Sequence, residues 1–249
     1  MDDSEYENIA RLEDKHWWYR GMAAISLSLL APRVAPAPDR INRGPLRILD
    51  AGCGPGGMLA HLKRFGSTYG VDYHPRAIAH AQTRAPVARA SIEQLPFADS
   101  LFDLITSFDV LYHRAVVDDT RALCEFFRAL KPGGLLLIRV PALEALRGAH
   151  DTVVHTRHRY TAPELSSKLR AAGFQISRLT YANTLLAPLI FLRRKFVNES
   201  AHATSDVDLP APLINRALEA ILHLENLFIT HTPFIPLPFG VSLFALAQT

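Results

Sequence analysis

Cysteine is scarce in this 249-residue sequence, which holds only Cys53 and Cys124. Their separation fits no metal-ligand pattern, so neither a disulfide framework nor a cysteine metal centre is expected, and both thiols read as free in a reducing compartment. An excess of one charge is also missing. Lys and Arg number 27 against 24 Asp and Glu, for a net charge of +3, and no long basic run appears. That balance argues against a nucleic-acid partner. No apolar run is long enough to span a bilayer, since the longest, Leu185 to Leu192, is broken by Pro188. The acidic opening Met1-Asp2-Asp3-Ser4-Glu5 lacks the apolar stretch of a signal peptide. A cytoplasmic protein is expected, long enough to bury a core without covalent staples, with one large domain and extensions.

What is present centres on Ile48-Leu49-Asp50-Ala51-Gly52-Cys53-Gly54-Pro55-Gly56-Gly57. Leu46, Ile48 and Leu49 read as a buried strand after the Gly44-Pro45 breaker, and Met58, Leu59 and Leu62 open a helical stripe. A strand, a glycine turn and a helix N-terminus make a ligand cradle, because glycine admits close backbone approach and the first helical N–H groups are unpaired. Gly52, Gly54 and Gly57 also fit the dinucleotide fingerprint, so the loop by itself leaves the nucleotide open. Asp50 tips the choice. A carboxylate at the strand tip repels a pyrophosphate but favours the ammonium and sulfonium of S-adenosylmethionine. The alternative role for Asp50 is a cap on the following turn.

A second short strand, Thr68 to Asp72, ends in an acid about 20 residues after Gly52, where a carboxylate can accept both ribose hydroxyls. Tyr73 follows and can pack on the adenine. A helix from His74-Pro75 to about Gln82 comes next, then the strand Leu104 to Phe108, a helix to Ala129, and the turn Leu130-Lys131-Pro132-Gly133-Gly134 feeding the strand Leu135 to Ile138. Alternation of this kind predicts an α/β fold, a doubly wound and mostly parallel sheet that binds ligands at its carboxyl edge.

Four segments stand in the order and spacing of a known family: Leu49-Asp50-Ala51-Gly52-Cys53-Gly54, Gly70-Val71-Asp72, Leu95-Pro96-Phe97 with Phe102-Asp103, and Leu130-Lys131-Pro132-Gly133-Gly134. From about residue 44 to 180 the chain resembles the class I S-adenosylmethionine-dependent methyltransferases, near the methyltransferase type 11 group. The resemblance implies a seven-stranded Rossmann-like sheet whose last strand is antiparallel, with Phe174 to Ser177 as strand six and Val241 to Ala247 as strand seven. It implies that Asp50, Gly52 and Gly54 hold the methionine part and Asp72 the ribose. Ser91 and Ile92 would frame the adenine, Phe108 would lie near the methionine end, and Cys53 and Glu93 are counted among the cofactor contacts. Ser91 is a departure, since many relatives carry Asp there. The domain boundaries expected are 1–38 for an N-terminal helical lid and linker, 39–183 for the cofactor-binding core, 184–238 for a helical insertion and 239–249 for the last strand.

Candidate substrate chemistry lies outside those segments. Residues Ser4 to about Ala31 read as one helix, with His16-Trp17-Trp18-Tyr19-Arg20 as a packing face or a lid that places Trp18, Tyr19 or Arg20 at the acceptor. Prolines 32, 36, 38 and 45 mark a linker after it. His113, just past the fourth strand, is the first candidate base for a hydroxyl or amine acceptor, and His155 and Tyr19 are further catalytic candidates. A cationic stretch includes Arg147, His150, Arg157, His158, Arg159 and Tyr160, and suggests an anionic group on the acceptor, with His150, Arg159 and Tyr160 as contacts. Thr161 and Glu164 have capping-box spacing. His150, Asp151 and His155 match no firm metal pattern, so no metal site is expected.

The insertion holds Leu185 to Leu192, then Arg193-Arg194-Lys195, a polar break from Asn198 to Asp208, and a helical stripe of Leu213, Ala217, Ile221, Leu224 and Phe228. It reads as a lid, a dimer face or a peripheral membrane contact through 185–196. The function expected is methyl transfer to oxygen or nitrogen of a small molecule, hydrophobic or lipid-linked and bearing an anionic group. The alternatives are carbon methylation and a nucleotide-binding protein without catalysis.

Overall fold

Apolar runs form the centre of the sheet because both of its faces are covered, which leaves no polar face to alternate with. In the computed structural model, which describes residues 3–34, 44–196, 208–232 and 234–249, seven strands make one sheet. They are β1 (Leu46–Ala51), β2 (Gly66–Asp72), β3 (Val87–Arg89), β4 (Phe102–Phe108), β5 (Leu130–Pro141), β6 (Gln175–Ala182) and β7 (Ser242–Gln248), in the order β3-β2-β1-β4-β5-β7-β6. Strands β1 to β5 are parallel, and β7 runs antiparallel between β5 and β6. The order reverses between β1 and β4, which opens a crevice at their carboxyl ends. Asp50, Asp72 and the residues after Phe108 all reach that edge. Pro36, Pro38, Pro233 and the stretch 197–207 lie outside the described residues.

The helices are α1 (Asp3–Leu12), α2 (Trp17–Val34), α3 (Gly57–Leu62), α4 (Pro75–Ala81), α5 (Asp119–Ala129), α6 (Ala149–Val153), α7 (Ala162–Ala171), α8 (Ala187–Phe196) and α9 (Pro212–His231). The single N-terminal helix expected from Ser4 to Ala31 is in fact two. The chain breaks at residues 13–16, where Nδ1 of buried His16 accepts the Trp18 N–H at 3.2 Å and starts α2. Past the break, α2 is a core element: Met22, Ile25, Leu29 and Leu30 join Ile48, Leu104, Leu137 and Phe244 in one cluster with Leu222 and Ile229 of α9. Gly21 allows that approach, since a Cβ there would collide with the Leu222 side chain.

The predicted stripe of α9 is offset from the buried one. Leu213 and Leu224 are 81% and 61% exposed, whereas Leu222, Glu225, Asn226 and Ile229 face inward. A hydrogen-bonding demand sets that rotation. The Glu225 carboxylate accepts N–H groups from Asn183, Thr184 and Leu185, at the end of β6, and Asn226 donates to Ser28 at 3.1 Å. The Asn183 and Thr184 contacts are buried, and leaving those donors unpaired would cost roughly 1–3 kcal/mol each. The capping box at α7 does not form either: Thr161 makes no side-chain cap, and Glu164 pairs with His158 at 2.8 Å.

Candidate active site

The turn after β1 needs glycine at two places. Gly52 has φ +79° and a Cβ there would collide with Val110, while Gly54 has φ +52° and faces open space. That space is a cavity of about 730 Å3, within the range of ligand pockets. It runs from the glycine loop and Asp72, under α1 and the start of α2, to α6 and α8.

Asp50 forms the floor at the strand tip. It is 2% exposed, and one oxygen accepts the Thr106 hydroxyl at 2.7 Å. Burial pushes its carboxyl up to about 7, against the pull of that hydrogen bond and of Arg139. Asp72 has both oxygens engaged, by the N–H groups of Gly54 and His74 at 2.9 Å each, so it does act as a strand-end cap; each oxygen keeps a second lone pair for a ligand hydroxyl. Burial raises its pKa too. Glu13 of the N-terminal segment reaches the glycine loop at this end, and Glu5 lines the cavity too. Asp50 and Asp72 at this end favour a ligand that is positive and free of phosphate.

Cys53, Tyr73, Ser91, Ile92 and Phe108 also line the cavity, while the Ser91 hydroxyl accepts the Glu93 N–H at 3.1 Å. Glu93 itself is placed elsewhere: its carboxylate accepts the Val117 and Asp118 N–H groups and ties down the loop before α5. Trp18 and Tyr19 line the cavity; Arg20 points away and pairs with Glu219 of α9 at 2.9 Å. His150 and Arg159 line its far end, beside Arg193 and Arg194 of α8. Tyr160 does not reach it. The ring is fully buried, and its hydroxyl donates to Asp119 at 2.6 Å, so this tyrosine braces α5 rather than touching an acceptor. His155 lies behind the lining with its ring 5.7 Å from that of His113. Most of the cationic stretch is paired within the protein: Arg147 with Glu144, Arg157 with the Val117 carbonyl, His158 with Glu164, and Arg159 with Asp151 at 2.9 Å.

His113 lines the cavity. Nδ1 accepts the Ala115 N–H at 3.1 Å, so the neutral ring carries its proton on Nε2. Burial, with cationic neighbours adding to it, lowers its pKa to about 4, which keeps the ring neutral.

Two contributors escaped the sequence reading. Arg139, near the end of β5, is buried; it donates through Nε and Nη2 to Asp109 at 2.8 and 2.6 Å, and its guanidinium lies 4.9 Å from the Trp18 ring and 5.2 Å from Phe108. The signal was a charge inside an apolar strand, Ile138-Arg139-Val140. Glu13 is the other, and nothing in its local sequence marks it.

Residues 49–138 match the model of a methyltransferase domain family, Methyltransf_11. The chain carries a class I, S-adenosylmethionine-dependent methyltransferase domain. Among proteins similar to it, one from Mycobacterium tuberculosis named as an S-adenosylmethionine-dependent methyltransferase is 33% identical over 175 residues, 67% of this chain and 58% of that one. A counterpart from Mycolicibacterium smegmatis is 29% identical over 177 residues, 68% of this chain and 63% of the relative. The chain thus spans about three-fifths of the length of these curated relatives. A ubiquinone biosynthesis O-methyltransferase of Pseudomonas fluorescens is 31% identical over 150 residues, 54% of this chain and 62% of that enzyme. Among solved structures, the phosphoethanolamine N-methyltransferase 2 of Haemonchus contortus, in complex with S-adenosyl-L-methionine, aligns with a TM-score of 0.57 at 19% identity, covering 90% of this chain and 52% of that one. The methyltransferase fold accounts for the acidic cradle. The cofactor of this domain family carries an ammonium and a sulfonium, and the carboxyl-lined, glycine-walled end of the cavity suits it.

Proposed function

We propose that the protein transfers a methyl group from S-adenosylmethionine to oxygen or nitrogen of a hydrophobic small molecule that bears an anionic group. One observation carries this reading: the cavity is acidic at the glycine loop, and at its far end His150, Arg193 and Arg194 join the paired Arg159 and Asp151, for an excess of basic side chains. The cofactor supplies an electrophilic methyl on a positively charged sulfur. The chain's own residues hold and enclose. Asp50 and Asp72 fix the orientation of the positive ligand, and Trp18 and Tyr19 screen the space from water. Positioning of this kind can supply several kcal/mol of the barrier reduction, about 7–11 at the limit. His113 lines the same cavity, where its neutral ring can contact the acceptor. The relative named as a ubiquinone biosynthesis O-methyltransferase favours oxygen as the methyl acceptor.

The acceptor would enter beneath α8. Leu185, just before it, and Leu189, Phe191 and Leu192 on it are exposed, while Arg193 and Arg194 line the cavity. An apolar surface beside cations suits delivery from a membrane interface. No helix of the described residues is long and apolar enough to cross a membrane, so any such contact is peripheral. A radiolabelled-methyl assay against lipophilic phenols and amines, each with and without a carboxylate or phosphate, tests the proposal. Transfer to the anionic members supports it; transfer only to neutral or cationic acceptors overturns the anionic part. Equal sedimentation with and without anionic vesicles removes the membrane route.

A further inference from the structure

Glu13 sits in the break between α1 and α2, far in sequence from the glycine loop, yet its carboxylate ends on it. Oε2 accepts the Gly57 N–H at 3.0 Å, and Oε1 lies 2.8 Å from Nη1 of Arg84. The side chain is only 8% exposed. Gly56, just before α3, is left-handed at φ +98° and provides no side-chain cap, so the head of α3 takes its cap from Glu13. Gly57 leaves room for it, since a Cβ there would collide with Oε2. The segment around Glu13 is held in place along α4. Asp3 pairs with His74 and Arg76, Glu7 with His80, and Asp14 with Arg84, and Tyr6 stacks on His74 at 4.2 Å.

We propose that Glu13 is a specificity-determining residue of the cofactor site: its carboxylate locks the N-terminal segment to the glycine loop and fills the space a dinucleotide would need for its phosphates. The inference rests on the cofactor assignment above. In phosphate-binding versions of this turn, the N–H groups opening the helix and a nearby cation face the phosphate. Here a buried carboxylate already takes the Gly57 N–H and Arg84. A phosphate arriving there finds that N–H and that cation already engaged, whereas S-adenosylmethionine brings no phosphate and needs neither. Selection against dinucleotides is then shared by Asp50 on the strand and Glu13 on the segment that closes over it.

The test is equilibrium binding of S-adenosylhomocysteine and of NADH to wild type, Glu13→Ala and Gly57→Ala. The second variant keeps the charge and expels it sterically, at a position where alanine suits the helix. Both variants are expected to lower the preference for S-adenosylhomocysteine over NADH by about tenfold or more, the scale of one charge-assisted hydrogen bond. An unchanged preference overturns the proposal, including the case in which both affinities and the melting temperature fall together, because that is what a purely structural cap would do. Failure of the wild type to bind S-adenosylhomocysteine at all would instead refute the cofactor assignment, so the two failures are distinct.

Discussion

Cofactor binding should weaken as the solution is acidified, and Asp50 sets the range. Its carboxyl, raised to about 7 by burial, binds a positive ligand only when ionised. If the ligand-bound form holds it ionised, the apparent dissociation constant scales with one plus the ratio of protonated to ionised Asp50. That ratio is about 0.1 at pH ~8 and about 10 at pH ~6, so affinity should fall roughly tenfold, or about 1.4 kcal/mol, across this window. The α-amino group of the ligand titrates near ~7.7–8.0, which trims the gain at the alkaline end and leaves the acid limb intact. Glu13, also raised to about 7, adds a further contribution because it organises the loop. Isothermal calorimetry with S-adenosylhomocysteine, in buffers of matched ionic strength, reads the slope, and Asp50→Asn should lose the share due to Asp50. A dissociation constant that changes less than about twofold between these pH values, or a variant that keeps the full slope, would refute the reasoning.

The same burial has the opposite sign for the ligand-free protein. A carboxyl raised from 3.8 to about 7 contributes stability that is present below its ordinary pKa and lost as pH rises through 7, so ionised Asp50 costs up to roughly 4 kcal/mol. Asp50→Asn should therefore melt higher than wild type at pH ~8 while binding cofactor less tightly, which differential scanning fluorimetry with and without ligand will show. Arg139→Met leaves Asp109 without the two N–H groups that its Oδ2 accepts and Trp18 without its cation, and should destabilise by about 3 kcal/mol in denaturant titration, with a shift in tryptophan emission. Gly21→Val should destabilise by about 1–3 kcal/mol, because the added carbons collide with Leu222 where α2 meets α9. His113→Ala should slow transfer, yet the wild-type pH–rate profile should show no limb between pH ~6 and ~8 traceable to His113, because its pKa is held near 4; a limb there that vanishes in the variant would restore it as the base.

The core was legible because its physics is local. Strand β1, the glycine turn and Asp50 lie in twelve consecutive residues, Leu46 to Gly57, and the strand-ending Asp72 follows at a regular distance. The parallel sheet and its antiparallel last strand followed from alternating elements and from the family likeness. What escaped depended on pairings remote in sequence. The inward face of α9 is chosen by Glu225 meeting the backbone of Asn183 to Leu185, and the leucine stripe alone gives no hint of that. Tyr160 looked like a site residue because it sits among cations, but Asp119, an acid at the start of α5, takes its hydroxyl. His113 was rightly placed at the sheet edge, but its tautomer depends on the Ala115 N–H, a detail of the folded turn. Glu13 was invisible for the same reason, because its partners Gly57 and Arg84 are brought to it only by the fold.

The most direct measurement is competitive binding to the purified protein. Tritiated S-adenosylmethionine should bind with a stoichiometry of about one, be displaced by S-adenosylhomocysteine, and resist displacement by NADH. Saturable NADH binding with no retention of the tritiated ligand would contradict the claim that the acidic cradle selects a positive, phosphate-free nucleoside.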